Sequence, residues 1–243
     1  MKPWGSALIF SIAIVVAAMT LAGTWRKTHE TKETIKVTGL AEKDFTSDFI
    51  IWSGSYTRHS MTVKEAYTQL KSDADNISQY LVKNGVNPKE ITVSSVYSNK
   101  DYKYQYDANG RQTNQTFDGY TLTQSVNIES KEVDKVEQIS REVTELLNMG
   151  IEFQSSEPRY YYTQLKTLKL EMLADASKDA YNRAEAIAKN AGGGLGGLRN
   201  AQMGVFQITG QNSDEEYSYG GAYNTSSKNK KASITAKLEF AIN

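Results

Sequence analysis

Residues 62–93 read TVKEAYTQLKSDADNISQYLVKNGVNPKEITV and contain the signals of a helix followed by a strand. Thr62 and Glu65 form a capping box, in which both side chains bind backbone amides that a helix start leaves free. Asn84-Gly85 is typical of a helix end, and strand alternation begins after Pro88. Between these limits apolar residues recur at helical spacing, at Val63, Ala66, Tyr67, Leu70, Ala74, Ile77 and Leu81. The stretch therefore predicts one amphipathic helix and one following strand.

Two strands are predicted before this helix. Ile35 and Val37 lie on one face of the first strand, and residues 39–43 are predicted to form a turn after it. The second strand has apolar side chains on both faces, so burial on both sides is predicted. Its apolar residues are Phe49 and Ile51 on one face and Ile50, Trp52 and Tyr56 on the other.

Helical and strand patterns alternate in the rest of the chain. Asn109-Gly110 is a strong hairpin-turn signal, and a second helix is predicted to be capped by Ser130 and stopped by Gly150. A third helix has an alanine-rich apolar face, which permits close approach to a neighbouring element, formed by Leu170, Leu173, Ala176, Ala180, Ala184, Ile187 and Ala191. Further strands are predicted at residues 120–128, 151–162, 205–208 and 234–242, with a low-complexity loop at residues 211–229.

This order of elements, ββαββαβαββ, predicts the fold class. Helices mixed with hairpins are typical of an α+β fold with helices on one face of a largely antiparallel sheet. We therefore predict an α+β domain with about three helices packed on the sheet, preceded by one N-terminal hydrophobic helix.

The N-terminal helix is predicted from an uncharged run between Pro3 and Trp25. Its centre, residues 7–22, reads ALIFSIAIVVAAMTLA and is apolar on every face, which favours lipid over water. As a helix, the stretch from Trp4 to Trp25 would span about 30 Å, close to the thickness of the hydrocarbon layer. Residues 1–27 are predicted to be a signal anchor or, alternatively, a signal peptide cleaved at Thr20-Leu21-Ala22. Residues 28–243 are then one exported domain.

Composition excludes several classes of partner and site. The 28 basic and 28 acidic residues balance, so no basic face for nucleic acid is expected. The chain has no cysteine, so disulfides and thiolate metal sites are excluded.

No set of residues predicts catalysis, a metal site or a cofactor site. The two histidines, His29 and His59, have no metal-ligand spacing, and His59 is expected at the surface at a strand end. The acidic run Asp214-Glu215-Glu216 lies in the low-complexity loop, which favours a solvated face over a calcium site. The glycines at 192–197 follow a helix, so they indicate a helix end and not a phosphate-binding loop. We expect no enzyme activity.

The tyrosines form the most distinctive surface feature. One predicted strand places Tyr102, Tyr104 and Tyr106 on one face, and a second cluster is Tyr160, Tyr161 and Tyr162. They can serve cross-strand packing within a long hairpin, or form an interaction surface, since tyrosine gives contact area at low entropic cost. If they form an interaction surface, self-association is favoured, because strand edges and aromatic rows suit oligomers.

Residues 35–43, IKVTGLAEK, resemble the opening strand of the bacterial SIMPL-domain family. The helix end at 81–85, the strand at 91–93 and the alanine-rich helix at 172–191 are similar to later parts of that family's pattern. Ala184-Glu185-Ala186-Ile187-Ala188, followed by the glycine-rich turn and Leu198, is especially similar. The resemblance covers roughly residues 34–243.

The resemblance implies an exported α+β domain, with members that assemble into large ring-like or cylindrical homo-oligomers and are associated with envelope or oxidative stress. It supplies no catalytic residue, and the Tyr-rich hairpin and late loop depart from its pattern. We therefore expect a non-enzymatic periplasmic protein, anchored in the inner membrane, that self-associates. The alternative function is a binding module for a peptide, glycan or envelope protein. The alternative location, after signal cleavage, is soluble periplasmic or outer-membrane-associated.

Overall fold

The computed structural model describes residues 11–22 and 33–243, and residues 11–22 form a helix, α1. Within these described ranges, no helix is both long enough and apolar enough to span a membrane. The anchor predicted for residues 1–27 extends into residues 1–10 and 23–27, which lie outside the described residues together with Trp4, Trp25 and His29.

Residues 33–243 contain three further helices, ten strands and two short 3-10 segments. The helices are α2 (Val63–Lys83), α3 (Val133–Glu142) and α4 (Leu165–Asn190), and the 3-10 segments are Pro88–Glu90 and Val143–Met149. The strands are β1 (Thr34–Thr46), β2 (Phe49–Ser60), β3 (Ile91–Val93), β4 (Tyr97–Tyr106), β5 (Gln112–Ser130), β6 (Gln154–Ser155), β7 (Arg159–Tyr161), β8 (Leu195–Met203), β9 (Gln207–Gly210) and β10 (Asn229–Ile242).

The chain divides into two compact units. Unit 1 comprises Met1–Leu40, Ala176–Gly204 and Ala236–Asn243, and unit 2 comprises Ala41–Asp175 and Val205–Thr235.

Unit 2 is built on a six-stranded sheet in the order β3-β5-β2-β6, in which β4 also pairs with β5 and β7 with β2. The ladders of this sheet are antiparallel. One face carries the hydrophobic core with α2 and α3. In β2 every second residue from Ile50 to Tyr56 is buried, whereas Phe49 and Ile51 are half-buried. The prediction that this strand is buried on both sides is therefore wrong.

Local signals around α2 hold well. The Thr62 hydroxyl accepts a hydrogen bond from the Glu65 amide at 3.3 Å, while the Glu65 carboxylate accepts from the Ser60 hydroxyl at 2.6 Å instead of from Thr62. Gly85 ends the helix with a φ of 91°. The predicted Ser130 cap of α3 is wrong by two residues, since the residue at the N-cap is Glu132.

Unit 1 contains the close contact between β1 and α4. Its core includes Val37, Ala180, Ala184 and Phe240, and β10 pairs with β8 in antiparallel register. A Cβ atom at Gly39 would lie 2.1 Å from the Ala176 carbonyl oxygen, so glycine is what lets the strand approach the helix. The turn predicted at residues 39–43 is therefore wrong, because β1 runs unbroken through it.

The close approach expected for the alanine-rich helix is confirmed at Gly39. The buried residues of α4 repeat every fourth position, at Leu168, Met172, Ala176, Ala180, Ala184 and Ala188. Leu170 and Ile187, predicted on this face, are 62% and 50% exposed. Each step of four residues turns about 40° beyond a full helical turn, so the buried side of α4 rotates along its length. The mixed spacing of three and four in the prediction assumes one straight face and does not follow this rotation.

The α+β class and antiparallel pairing are confirmed, with two sheets in place of one. The strand predicted at residues 151–162 is two short strands, β6 and β7, and β8 was missed because it starts within the glycine run. The glycine run does end α4, as predicted, with Gly192 at a φ of 82°.

Candidate interaction surface

The hairpin of β4 and β5 extends beyond the other strands of its sheet. The ladder between β2 and β5 stops at the pair Ser60 and Tyr120, so residues 112–119 of β5 pair with β4 alone. We name residues 100–119 the arm. At its tip the Asp107 carboxylate accepts from the amides of Asn109 and Arg111, both at 2.9 Å, which confirms the predicted turn. Both edges of the arm are unpaired among the described residues.

One face of the arm carries a row of exposed aromatic rings. Tyr102, Tyr104 and Tyr106 alternate along β4 and are 39%, 47% and 63% exposed. A bulge at Asp118 brings Phe117 opposite Tyr102, with ring centroids 5.8 Å apart. We name Tyr102, Tyr104, Tyr106 and Phe117 the aromatic stripe. Such a surface offers contact area to a partner at little conformational cost.

The charges of the arm cancel. It contains three basic and three acidic residues, which are Lys100, Lys103, Arg111, Asp101, Asp107 and Asp118. Lys103 and Asp118 pair with each other at 2.6 Å. The arm therefore presents no excess charge that would attract a polyanion or a strongly basic partner.

The base of the arm is held by polar contacts. Asp101 accepts hydrogen bonds from the Thr121 hydroxyl and, at 3.1 Å, from the Asn99 amide, and it lies 3.7 Å from His59 Nε2. Thr121 donates to Asp101 and not to His59, so the histidine is not placed to activate the hydroxyl as a nucleophile. His59 is exposed at the end of β2, where the sequence placed it.

The second tyrosine cluster lies at the far end of β2. Tyr160 is only 7% exposed and packs in the core, so it offers no contact surface to a partner. Burial, and then the nearby Glu137 carboxylate, raises the pKa of Tyr160. Tyr161 and Tyr162 are half-buried against Tyr223 and Phe45, with centroids 6.4 and 4.8 Å apart. Because β7 pairs with β2 near Phe49, roughly 35 Å of strand separates this cluster from the arm.

A model of the SIMPL family, described as a protein of unknown function (DUF541), matches residues 35–240. The chain belongs to the SIMPL family. The match begins in β1 and ends in β10. It therefore covers strands of both units of this SIMPL protein, and it includes the arm. No curated protein matches the chain.

Metal and catalytic chemistry gain no support from the arrangement of side chains. Across residues 11–22 and 33–243 of the SIMPL chain, no group of three or more His, Asp or Glu residues is placed to hold a metal ion. The expectations that this SIMPL protein uses no metal and catalyses no reaction stay predictions.

The late loop of the SIMPL domain is tied down by polar contacts that the sequence analysis missed. Lys230 is fully buried, and its ammonium group donates to the Asn224 carbonyl at 2.6 Å. The Asn224 amide in turn donates to Glu215, which also accepts from the Gly210 amide at 3.0 Å. Glu215 is exposed, as predicted for this acidic run, and it also accepts these two hydrogen bonds. The alternation of side chains along β10 could have predicted the burial of Lys230, since it lies on the same face as the buried Ala232 and Ile234.

Buried Lys230 makes the stability of the SIMPL domain depend on pH. Burial lowers its pKa from 10.5 to about 8, with Glu215 opposing the shift. Between these values the folded state binds fewer protons than the unfolded state, so the free energy of unfolding rises with pH by up to about 1.4 kcal/mol per unit. Below pH 8 this rise is absent.

Urea denaturation of the full chain between pH 7.5 and 10 measures this rise. Lys230→Met removes the titrating group, so the difference in unfolding free energy between wild type and variant should change by roughly 2 kcal/mol across the range. Lys231→Met, at the partly exposed neighbouring position, should keep the wild-type profile. Parallel profiles for wild type and Lys230→Met would contradict the prediction.

Proposed function

We propose that this SIMPL protein is a non-enzymatic, membrane-tethered periplasmic protein whose exported domain self-associates through the arm, in a role tied to envelope or oxidative stress. The tether is the N-terminal hydrophobic helix, supported by the uncharged run from Pro3 to Trp25. The single observation that carries self-association is the aromatic stripe on an arm whose two edges have no paired strand within the described part of the chain.

The arm has little to stabilise it within one chain. A two-stranded ribbon is marginal in water unless a hydrophobic face is covered. In residues 11–22 and 33–243 no third strand pairs with the arm beyond Tyr120. Its four aromatic side chains are each more than a third exposed. A partner that covers the stripe would remove apolar surface from water and so stabilise the arm.

A second copy of the chain fits this surface best. The arm has no net charge, which argues against nucleic acid or anionic lipid as its partner. Each copy offers the same aromatic stripe and the same unpaired backbone groups, so two arms can meet in a self-complementary contact.

The second candidate function is a binding module for an extended peptide of an envelope protein. It is favoured by the outer edge of β4, which is unpaired among the described residues and can accept an added strand.

Size-exclusion chromatography with light scattering tests self-association, using the full chain in detergent. We expect the wild type at micromolar concentration to have a protein mass that is a multiple of 27.1 kDa. The triple variant Tyr102→Ser/Tyr104→Ser/Tyr106→Ser should weaken association at least about hundredfold, since each exposed anchor contributes on the order of 1 kcal/mol.

Tyr97→Ser is the matched control, because Tyr97 lies on β4 but on the opposite face and is 69% exposed. It should assemble like the wild type. A monomeric wild type, or a triple variant that assembles normally, would contradict the proposal. A triple variant that assembles normally but no longer retains an envelope protein favours the binding module.

A further inference from the structure

The outer edge of β4 carries backbone groups that no strand covers within residues 11–22 and 33–243. At the tip of the arm the Asp107 amide donates to the Arg111 carbonyl at 2.9 Å, so the backbone of Asp107 points towards β5. Both bulges of the ladder place their extra residue on β5, so the alternation along β4 is unbroken. The amides and carbonyls of the even-numbered residues of β4, which include Tyr102, Tyr104 and Tyr106, therefore point outward.

A second copy of the chain can add its own β4 to this edge in the antiparallel direction. The two arms are then related by a two-fold axis, which makes the contact self-complementary and closed. Outward-pointing groups of one strand must meet outward-pointing groups of the other, so the axis passes through a residue and not between two residues. The residue on the axis defines the register of the pairing.

The extent of overlap favours Tyr102 as the residue on the axis. β4 runs from Tyr97 to Tyr106, and an axis at Tyr102 pairs every outward-pointing residue of the strand. Any other position of the axis leaves at least one of these residues, with its amide and carbonyl, outside the ladder between the copies. Because main-chain hydrogen bonds supply the affinity of an added strand, the register at Tyr102 gains most.

Charge selects the same register. With Tyr102 on the axis, Asp101 of each copy lies directly opposite Lys103 of the other, which gives two pairs of opposite charge. Moving the axis by one residue places like charges opposite each other, Asp101 against Asp101 in one direction and Lys103 against Lys103 in the other. Like charges directly opposite each other are destabilising.

The side chains that meet in this register are accessible. The odd-numbered residues form the closer, non-hydrogen-bonded pairs, with Cα atoms about 4.5 Å apart, so Asp101 and Lys103 lie side by side. The Lys103 side chain is 75% exposed despite its ion pair within the arm, and that of Asp101 is 28% exposed. On the other face the two Tyr102 rings meet at the axis, and Tyr104 lies opposite Lys100, which favours a cation–π contact.

We propose that two copies of this SIMPL protein join through antiparallel pairing of their β4 strands, with Tyr102 on the two-fold axis and Asp101–Lys103 ion pairs between the copies. This pairing rests on the self-association proposed above, and it specifies which edge, direction and register the two copies use. One continuous sheet then runs through both arms, with the two aromatic stripes side by side on the same face.

Cysteine cross-linking tests the register, because the chain contains no cysteine of its own. In the full chain in detergent, Tyr102→Cys places two thiols opposite each other across the axis. Hydrogen-bonded antiparallel pairs have Cα atoms about 5.5 Å apart, which suits a disulfide. We expect mild oxidation to convert most of this variant to a disulfide-linked dimer on a non-reducing gel.

Tyr104→Cys is the matched control, since it also replaces one tyrosine of the aromatic stripe. Its two thiols would lie four residues apart along the paired strands, about 13 Å, which is too far for a disulfide. Lys100→Cys alone should also stay unlinked, whereas the double variant Lys100→Cys/Tyr104→Cys should form the linked dimer. This double variant decides the register if Tyr102→Cys does not fold.

Charge reversal tests the ion pairs between the copies. Lys103→Glu places a carboxylate opposite Asp101 of the other copy, so the dissociation constant should rise about tenfold or more. Lys100→Glu changes the net charge of the arm equally but faces Tyr104, so it should weaken association less. Equal weakening by both variants would mean that only net charge matters, and it would overturn the pairing.

Light scattering separates failure of the pairing from failure of self-association. A monomeric wild type contradicts both. An assembled protein in which Tyr102→Cys and the double variant stay unlinked overturns the pairing alone. The pairing is equally overturned if Tyr104→Cys by itself links as readily as Tyr102→Cys.

Discussion

Asp73→Ala is expected to lower the free energy of unfolding by about 3–5 kcal/mol. Asp73 lies on α2, is 5% exposed, and accepts two hydrogen bonds from the Arg58 guanidinium of β2. The same guanidinium donates to the Gly150 carbonyl at 2.8 Å, so one cation connects strand, helix and turn. Removing the carboxylate leaves Arg58, with 30% of its side chain exposed, without its counter-charge.

Urea denaturation of the full chain measures the loss, and two variants define its cause. Asp75→Ala removes an exposed carboxylate from the same helix and should change stability by no more than about 0.5 kcal/mol. The double variant Arg58→Met/Asp73→Leu should lose less than Asp73→Ala, because it leaves no charge unpaired. Equal losses for Asp73→Ala and Asp75→Ala would show that the ion pair contributes nothing.

Gly39→Val is expected to destabilise unit 1 by about 3 kcal/mol and to lower its thermal midpoint by about 6 °C or more. A Cβ atom at Gly39 would lie 2.1 Å from the Ala176 carbonyl oxygen and 2.5 Å from the Ala180 amide nitrogen. Both are backbone atoms, which cannot rotate away as a flexible side chain can. The strand and the helix would have to separate, and the close packing between Gly39 and the alanines of α4 would be lost.

Gly197→Val is the matched control for this substitution. Gly197 lies in β8 of the same unit, and a Cβ atom there would meet nothing within 4 Å. Circular dichroism melting of both variants should show the loss at Gly39 alone. A midpoint for Gly39→Val equal to that of Gly197→Val would mean that β1 moves aside at no cost.

The sequence predicts best those features that depend on neighbouring residues. The Thr62 cap, the turn at Gly110 and the helix end at Gly192 all form as predicted, because each depends on a few adjacent backbone groups. The periodicity of α2 correctly predicts the buried residues Ala66, Leu70, Ile77 and Leu81. Val63 and Tyr67, predicted on the same face, are 43% and 50% exposed. In the last strand Ile234, Ala236 and Phe240 are buried as predicted.

Features that depend on distant residues were predicted wrongly or missed. Gly39 has the sequence context of a turn, but its role is set by α4, which packs against it from far along the chain. Tyr160 reads like its neighbours at 161 and 162, but it is buried because it pairs with Ile50, on the face of the sheet that carries the core.

The candidate functional surfaces also depend on residues that are distant in the sequence. Alternation and Asn109-Gly110 predict the hairpin and the face of its tyrosines, but their exposure follows from β2 ending at Ser60. Ser47 and Glu132 line one pocket of unit 2, and no local pattern links two positions so far apart.

The interleaved make-up of unit 1 determines when it can fold. β10 lies between β1 and β8 in the sheet, and its Phe240 shares a core with Val37. A nascent chain that has left the ribosome only as far as residue 235 has no strand to join the other two in this unit. Closing a loop of about 200 residues is also slow. Unit 1 is thus completed only once β10 has been synthesised, and a chain truncated before β10 loses the whole unit and not one strand of it.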